Sequence, residues 1–412
     1  MVENSSKPEM KIRVLHIITR FIRGGADENT RYTAEALDPK YYWVNLLAGG
    51  ESDFSYLDEI GKEVSVLVIP ELKRNIDPVN DLIAFLKIFK LIKSRKYHLV
   101  HTHTAKGGFI GRMAAALAGT PIIVHTLHGV TFHDFMSPLR KHLYILLERL
   151  AALVTDLFIT VGDDLKTRYI SRNIGSSEKY VTIRSGIDLK EFWEARELPN
   201  DFIAVEKEKL GIPHSDVVVG TISRLEPRKG HIYLLRAASR IVSKFPNIKF
   251  VIIGDGYYKT FLEEEVKNLN LTEHIIFLGH RKDVPKLIAL MDIVTFTSLW
   301  EGLPRALVQA AAVGKPIVTF DIEGAREVVE EGVNGFIVPP QNIDLLTEKL
   351  LFLATNLPIA QTMGLQGRKR VNNCWDVETM VQRTSEVYEE LISRKLSSSK
   401  LLGRNEIHTG CR

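Results

Sequence analysis

Two short segments in the second half of the chain carry residue types suited to holding a diphosphate. In SRLEPRKG (residues 223–230), Arg224 follows a β-branched run, and Lys229 stands five residues on beside Gly230, where a helical pattern opens. A guanidinium that grips two oxygens, a mobile ammonium and the positive end of a helix are the groups that hold phosphates. A solvated strand-to-helix turn is the plain structural reading of the same residues, and the second segment counts against it. In SLWEGLPRALVQ (residues 298–309), Glu301 and Gly302 close a loop, and Pro304 suits the first helical position, where its missing N–H is not needed. The amides of Leu303, Arg305 and Ala306 would then face an anion, and Gly302 would permit close backbone approach. A phosphate would repel Glu301, which therefore suits sugar hydroxyls. Gln309 lies about two turns further along the same helix.

The elements that must position these groups alternate. IRVLHII (residues 12–18) is a β-branched run followed by Gly24, Gly25 and a helical pattern over 27–37. Strand patterns follow at 42–48, 64–69, 98–103, 121–126, 156–161 and 180–188, with helices over 78–93, 108–118 and 137–153. The grammar restarts at Asp216, with strand patterns near 217–223, 248–256, 274–279, 292–298, 316–321 and 335–340. Helical patterns lie between them at 231–244, 259–268, 284–289 and 304–313. Strands alternating with helices of this length predict an α/β fold of two Rossmann-like parallel sheets. Ligands of such sheets bind beyond the carboxyl ends of the strands, where both segments fall. Residues 188–216 read as a linker with some helix, and 395–412, rich in Ser and Lys without apolar period, as a disordered tail.

Composition narrows the function classes. A chain of 412 residues with 45% apolar and 25% charged residues suits two globular domains. A formal charge of +4, from 54 basic and 50 acidic residues, gives no reason to expect a nucleic-acid partner. The two cysteines, Cys374 and Cys411, form neither a disulfide framework nor a CxxC metal site, which fits a reducing cytosol. The leader MVENSSKPEMK has no apolar core and no stretch reaches the roughly 18 apolar residues of a membrane span, so a cytoplasmic protein is expected.

Together GGADEN, HTHTAKGG, TLHG, SGIDLKEF, SRLEPRKG, IGDG, LGHRKDV and EGLPRALVQA, in that order over residues 11 to 385, resemble the glycosyltransferases of family 4. The resemblance implies the GT-B architecture, two Rossmann-like parallel-sheet domains facing across a cleft. Residues 1–190 would bind the acceptor and 191–385 the nucleotide sugar. It assigns Arg224 and Lys229 to the donor diphosphate and Glu301 to the donor sugar, as the first glutamate of the EX7E motif. Gln309 stands where the family usually has the second glutamate; an amide serves ribose hydroxyls without the charge that strengthens such bonds. Ser185 likewise stands where asparagine is commoner. By the same resemblance the amides around Arg281 receive the base, Gly254 and Gly256 line the nucleotide edge, and Gly24 and Gly25 let the chain approach the leaving phosphate. His128 matches the histidine that touches the transferred sugar, and His103, Lys106 and Gly107 fall on the acceptor side. Retention of anomeric configuration and a UDP-sugar donor are implied in the same way.

No DXD motif stands on a loop, and GDD at 162–164 reads as a helix start. No metal or other cofactor is therefore expected: Arg224, Lys229 and the helix terminus would neutralise the leaving phosphate, which itself takes the acceptor's proton. Two other enzyme readings compete. His101 and His103 share a strand face, as metal ligands of a hydrolase would, and a nucleotide-sugar epimerase could use the same fold. The helical pattern over 81–96, with Lys87, Lys90, Lys93, Arg95 and Lys96 around an apolar face, predicts weak contact with an anionic membrane and a lipid-linked or saccharide acceptor.

Overall fold

The computed structural model describes residues 11–396. Two compact units are present, each built on one parallel sheet.

In the first unit the strands are β1 (Ile12–Ile18), β2 (Tyr42–Gly49), β3 (Val64–Ile69), β4 (Leu99–His103), β5 (Ile122–Leu127), β6 (Leu157–Thr160) and β7 (Tyr180–Thr182). The helices between them are α1 (Gly25–Glu35), α2 (Phe54–Leu57), α3 (Pro78–Arg95), α4 (Ala105–Ala118), α5 (Pro138–Leu153) and α6 (Asp163–Ile170). The sheet order is β3-β2-β1-β4-β5-β6-β7, all parallel, so the winding reverses between β1 and β4. Both faces are covered, which is why the strands read as near-continuous Val, Ile and Leu runs. On one face Leu15, Ile17, Val100 and Ile123 pack on Ala84, Ile88 and Ile92 of α3 and Ile110, Ala114 and Ala115 of α4. Helix α3 starts where the Asp77 carboxylate accepts from the Asn80 amide with Pro78 next, and stops at Lys96 in the left-handed region.

Helices α7 (Lys190–Ala195) and α8 (Asn200–Lys209) occupy the expected linker. The second sheet contains β8 (Val217–Ile222), β9 (Ile248–Ile253), β10 (Ile275–Gly279), β11 (Ile293–Phe296), β12 (Ile317–Phe320) and β13 (Gly335–Val338), in the order β10-β9-β8-β11-β12-β13. Its reversal lies between β8 and β11. Around it lie α9 (His231–Val242), α10 (Lys259–Asn268), α11 (Val284–Leu290), α12 (Arg305–Val313), α13 (Ala325–Val328), α14 (Ile343–Thr355) and α15 (Leu357–Arg370). The last helix among the described residues is α16 (Val377–Leu396).

The division differs from the sequence expectation. The second unit takes residues 162–165 and 184–377, and from Glu378 onward α16 groups with the first sheet instead of extending a second domain to 385. Tyr388, Leu391 and Leu396 of α16 are buried, and the Lys395 ammonium reaches the Pro121 carbonyl at 2.9 Å and Asp156 at 2.5 Å. Lys395 and Leu396 thus end a packed helix; the rest of the expected disordered tail, 397–412, lies outside the described residues. No helix among the described residues is long and apolar enough to cross a membrane.

Candidate functional site

In a doubly wound sheet the loops on either side of the reversal diverge and open a crevice. In the second unit those two loops follow β8 and β11, and they are the two segments singled out by chemistry. The first leaves β8 through Ser223, forms a short 3-10 turn over Pro227–Lys229 and enters α9 at Gly230. Gly230 has φ 66, and a β-carbon there would lie 2.1 Å from the Thr297 carbonyl oxygen, so no other residue fits. The second loop is stitched to the first, because the Leu299 amide donates to the Arg228 carbonyl at 2.9 Å and the Thr297 hydroxyl to the Lys229 carbonyl at 3.2 Å.

This stitching brings five charges together. The Lys229 ammonium is bonded to the Glu301 carboxylate, and Arg228 reaches Glu301 at 3.3 Å and Glu226 at 3.0 Å. Arg224 lies 3.5 Å from Glu226, with more than a third of its side chain open to solvent. Three cations thus face two carboxylates. Burial alone would raise the Glu301 carboxyl, but Lys229 and Arg228 outweigh it and hold it below its usual value. Burial lowers the Lys229 ammonium, with Glu301 opposing. Neither α9 nor α12 has a side-chain cap among the described residues, so both open ends keep their positive potential.

The remaining donor-side residues fall around this cluster. Gly254, just after β9, has φ 133, and a β-carbon would lie 2.0 Å from the Ser223 carbonyl oxygen; at Gly256 it would lie 2.3 Å from that of Leu225. Both glycines are therefore required by the fold itself. Arg281 forms a bidentate pair with Asp283 at 2.7 and 2.5 Å, and the Gly254 amide donates to the Gly279 carbonyl beside it. Gly302, Leu303 and Pro304 are buried. Pro304 caps α12 instead of occupying its first turn: its carbonyl accepts from the Leu307 amide at 2.9 Å, and the helix begins at Arg305. The helix therefore starts one residue later than expected, with Arg305 and Ala306, two of the three expected donor amides, at its first two positions. Arg305 turns its guanidinium to the Gly186 carbonyl at 3.2 Å, and Gln309 is half-buried.

In the first unit the reversal lies between β1 and β4, whose loops carry Gly24, Gly25 and residues 103–108. Gly24 is extended, at φ −178, and a β-carbon there would lie 3.3 Å from the Asp27 carboxylate, with the nearest backbone atom, the Ile22 carbonyl oxygen, at 4.0 Å. The fold places little demand on glycine here, in contrast with 254. His103 ends β4 and is fully buried; its Nδ1 lies 3.0 Å from His128 Nε2 and its Nε2 3.1 Å from His16 Nδ1. Thr104 follows at φ 62, a costly angle for a β-branched residue, held by its hydroxyl at 2.8 Å from that of Thr19. Two acceptor-side residues have other employment. Lys106 is paired with Asp81 and the Asn75 carbonyl, and Gly107 packs under β1, its amide donating to the Thr19 hydroxyl at 2.8 Å.

The family model for glycosyl transferases group 1 matches residues 202–370, and that for Glycosyltransferase Family 4 matches residues 23–191. The chain belongs to the family 4 glycosyltransferases. Among curated relatives of this glycosyltransferase, the Escherichia coli UDP-Gal:alpha-D-GlcNAc-diphosphoundecaprenol alpha-1,3-galactosyltransferase is 29% identical, over 93% of this chain and 98% of that protein. The Staphylococcus aureus capsular polysaccharide biosynthesis glycosyltransferase CapM is 26% identical, over 83% and 89%. Among solved structures, Anabaena HepE in complex with UDP superposes with a TM-score of 0.74 at 25% identity, over 92% of this chain and all of that one. WaaG, at 16% identity and a TM-score of 0.74, shares the fold.

Sequence reasoning missed two features of this glycosyltransferase. Arg228 is the hub between Glu226 and Glu301, and a third cation within PRKG was the signal for it. His16 joins His101 and His103 because β1 and β4 pair in a register that sets His16 beside His101. Ligand atoms of these three rings lie within 4.8 Å of one another, so the hydrolase reading had a geometric basis. Five of the six ring nitrogens are, however, engaged with the protein: His101 bonds the Tyr388 hydroxyl and, at 2.7 Å, that of Thr126, and His103 bonds His128 and His16 Nδ1, which leaves only His16 Nε2 without a hydrogen-bond partner among the described residues. Burial holds His16 down to about 3 and His101, His103 and His125 well below the usual imidazole value.

Proposed function

We propose that this glycosyltransferase moves a sugar from a UDP-sugar to a lipid-linked or saccharide acceptor in cell-surface polysaccharide or glycoconjugate synthesis, with retention and without a metal. The observation that carries this reading is the cluster of Arg224, Arg228 and Lys229 against Glu226 and Glu301, at the reversal point of the second sheet. Its excess positive charge suits a diphosphate. When the donor enters, Lys229 exchanges the Glu301 carboxylate for phosphate oxygens. That exchange frees Glu301 to accept hydrogen bonds from sugar hydroxyls. As the glycosyl bond breaks, charge develops on the leaving phosphate, and preorganised cations with the open ends of α9 and α12 stabilise it. The leaving phosphate takes the acceptor's proton. Gly254, Gly256 and the amides around Arg281 receive the nucleoside, and Gln309 the ribose. By the family resemblance, His128 is assigned to the transferred sugar, Gly24 and Gly25 to close approach of the leaving phosphate, and His103, Lys106 and Gly107 to the acceptor side.

UDP as carrier is supported by the HepE complex and the galactosyltransferase relative, whose name also gives a diphosphoundecaprenol acceptor. A lipid-linked acceptor calls for approach to a membrane surface. Helix α5 exposes Leu139, Leu143, Leu146, Leu150 and Leu153 along one stripe beside exposed Arg140 and Arg149, and α3 exposes Val79, Leu82 and Leu86 ahead of Lys87, Lys90 and Lys93. Apolar stripes flanked by cations suit an anionic lipid surface. The deciding experiment is transfer from labelled UDP-sugars to an undecaprenyl-diphosphate sugar, with and without EDTA. Activity that survives chelation is expected; complete loss on chelation, or turnover with GDP- or ADP-sugars alone, overturns the corresponding part.

A further inference from the structure

The Glu301 carboxylate meets its two cations on different oxygens. Lys229 bonds Oε1, and Arg228 Nη1 lies 3.3 Å from Oε2. Arg228 is also fixed elsewhere: its Nε donates to Glu226 Oε2 at 3.0 Å, and its carbonyl accepts from the Leu299 amide at 2.9 Å, two residues before Glu301. Burial alone would raise the Glu226 carboxyl, but Arg224 and Arg228 hold it below its usual value, so it stays a charged acceptor for Arg228.

Under the proposed function Lys229 gives up Oε1 for phosphate oxygens. The Glu301 side chain is only 13% exposed, and a carboxylate stripped of its partners in such a place is strongly unfavourable. A guanidinium is suited to preventing this, because it is planar, always charged and offers separate N–H groups in fixed directions, whereas an ammonium is a point donor on a flexible stem. One N–H of Arg228 stays on Glu226 while another stays on Oε2. We infer that Arg228, backed by Glu226, is a positioning residue: it holds Oε2 of Glu301 after Lys229 has turned to the diphosphate, so that Oε1 is the oxygen presented to the sugar. This rests on the proposed exchange at Lys229 and gives the third cation of the cluster a duty distinct from that of the other two.

The test combines calorimetric titration with UDP and steady-state transfer by the full-length protein, using whichever of UDP-galactose, UDP-glucose and UDP-N-acetylglucosamine is turned over fastest. Arg228→Gln should leave the Kd for UDP within about threefold of wild type and lower kcat roughly 10–100-fold. Arg228→Lys, which keeps a cation beside Glu301 without the fixed second donor, should show the same UDP affinity and recover part of the kcat loss; it carries the comparison if Arg228→Gln does not fold. In a Glu301→Gln background, Arg228→Gln should cost less than about threefold in kcat, because the carboxylate it holds is gone. A Kd for UDP raised tenfold or more in Arg228→Gln would make Arg228 a diphosphate ligand and overturn the inference. Wild-type kcat in Arg228→Gln, or equal losses with and without the Glu301 carboxylate, as a merely structural role would give, overturns it too. If Lys229→Ala binds UDP as tightly as wild type, the exchange at Lys229 fails first, whatever Arg228→Gln does.

Discussion

Lowering the pH from 7.5 to 5.5 should remove about 5 kcal/mol of stability from the first unit, through histidines alone. His16, His101, His103 and His125 are all fully buried there, and burial lowers each of them. The sign follows from linkage. Each folded value lies below the unfolded one, so the stability these rings contribute is present above the ordinary imidazole value and is lost as pH falls towards the folded values. Between pH 7.5 and 5.5 an unfolded imidazole goes from about one-tenth to about nine-tenths protonated while the buried ring stays neutral, which costs about 1.4 kcal/mol per ring. Four rings give about 5 kcal/mol, comparable to the whole stability of many domains. The assay is urea unfolding of the full chain at pH 7.5, 6.5 and 5.5, followed by circular dichroism with proton uptake recorded in parallel. Uptake of about four protons by this unit at pH 5.5 is expected, and His125→Asn should reduce the loss by about 1.4 kcal/mol. A loss below about 2 kcal/mol would mean that the four rings are charged or solvated in the native state.

Arg224→Ala should lower kcat/KM by about 10²–10³-fold while leaving the melting temperature nearly unchanged, since its side chain is partly open to solvent. Lys229→Ala should lose as much activity and also about 1–3 kcal/mol of stability, because it leaves the buried Glu301 with Arg228 as its main partner; wild-type turnover in either variant refutes the assignment. Gly254→Ala should destabilise by roughly 2–4 kcal/mol, read from its urea midpoint, because its β-carbon would meet the Ser223 carbonyl. Exchanging Leu143 and Leu150 for Glu should abolish flotation with anionic liposomes at low salt and leave transfer to a water-soluble acceptor intact; equal flotation by the variant removes the membrane contact.

The strands were readable because sheets covered on both faces demand continuous β-branched runs, and glycine-rich loops close them. Ranges at 64–69 and 259–268 coincide with β3 and α10 to the residue. What stayed hidden was tertiary. Helix α16 has an ordinary amphipathic pattern, and nothing in it says that Tyr388 reaches His101 on the first sheet. The one-residue displacement at Pro304 arose because proline tolerates both the cap and the first turn. Gly107 in HTHTAKGG reads as an acceptor-side residue, but the close approach of α4 to the end of β1 already requires a glycine there. Lys106 looked available because its partner Asp81 lies 25 residues earlier, on α3.

The two reversal points solve the same electrostatic problem in opposite ways. A site that must meet a diphosphate needs cations, yet unpaired buried cations would unfold it before any donor arrived. The second unit pairs its cations with Glu226 and Glu301, and under the proposed function these pairs exchange for phosphate oxygens when the donor enters. The first unit instead packs His16, His101, His103 and His125 as imidazoles that burial keeps neutral, which cost less to bury than charges.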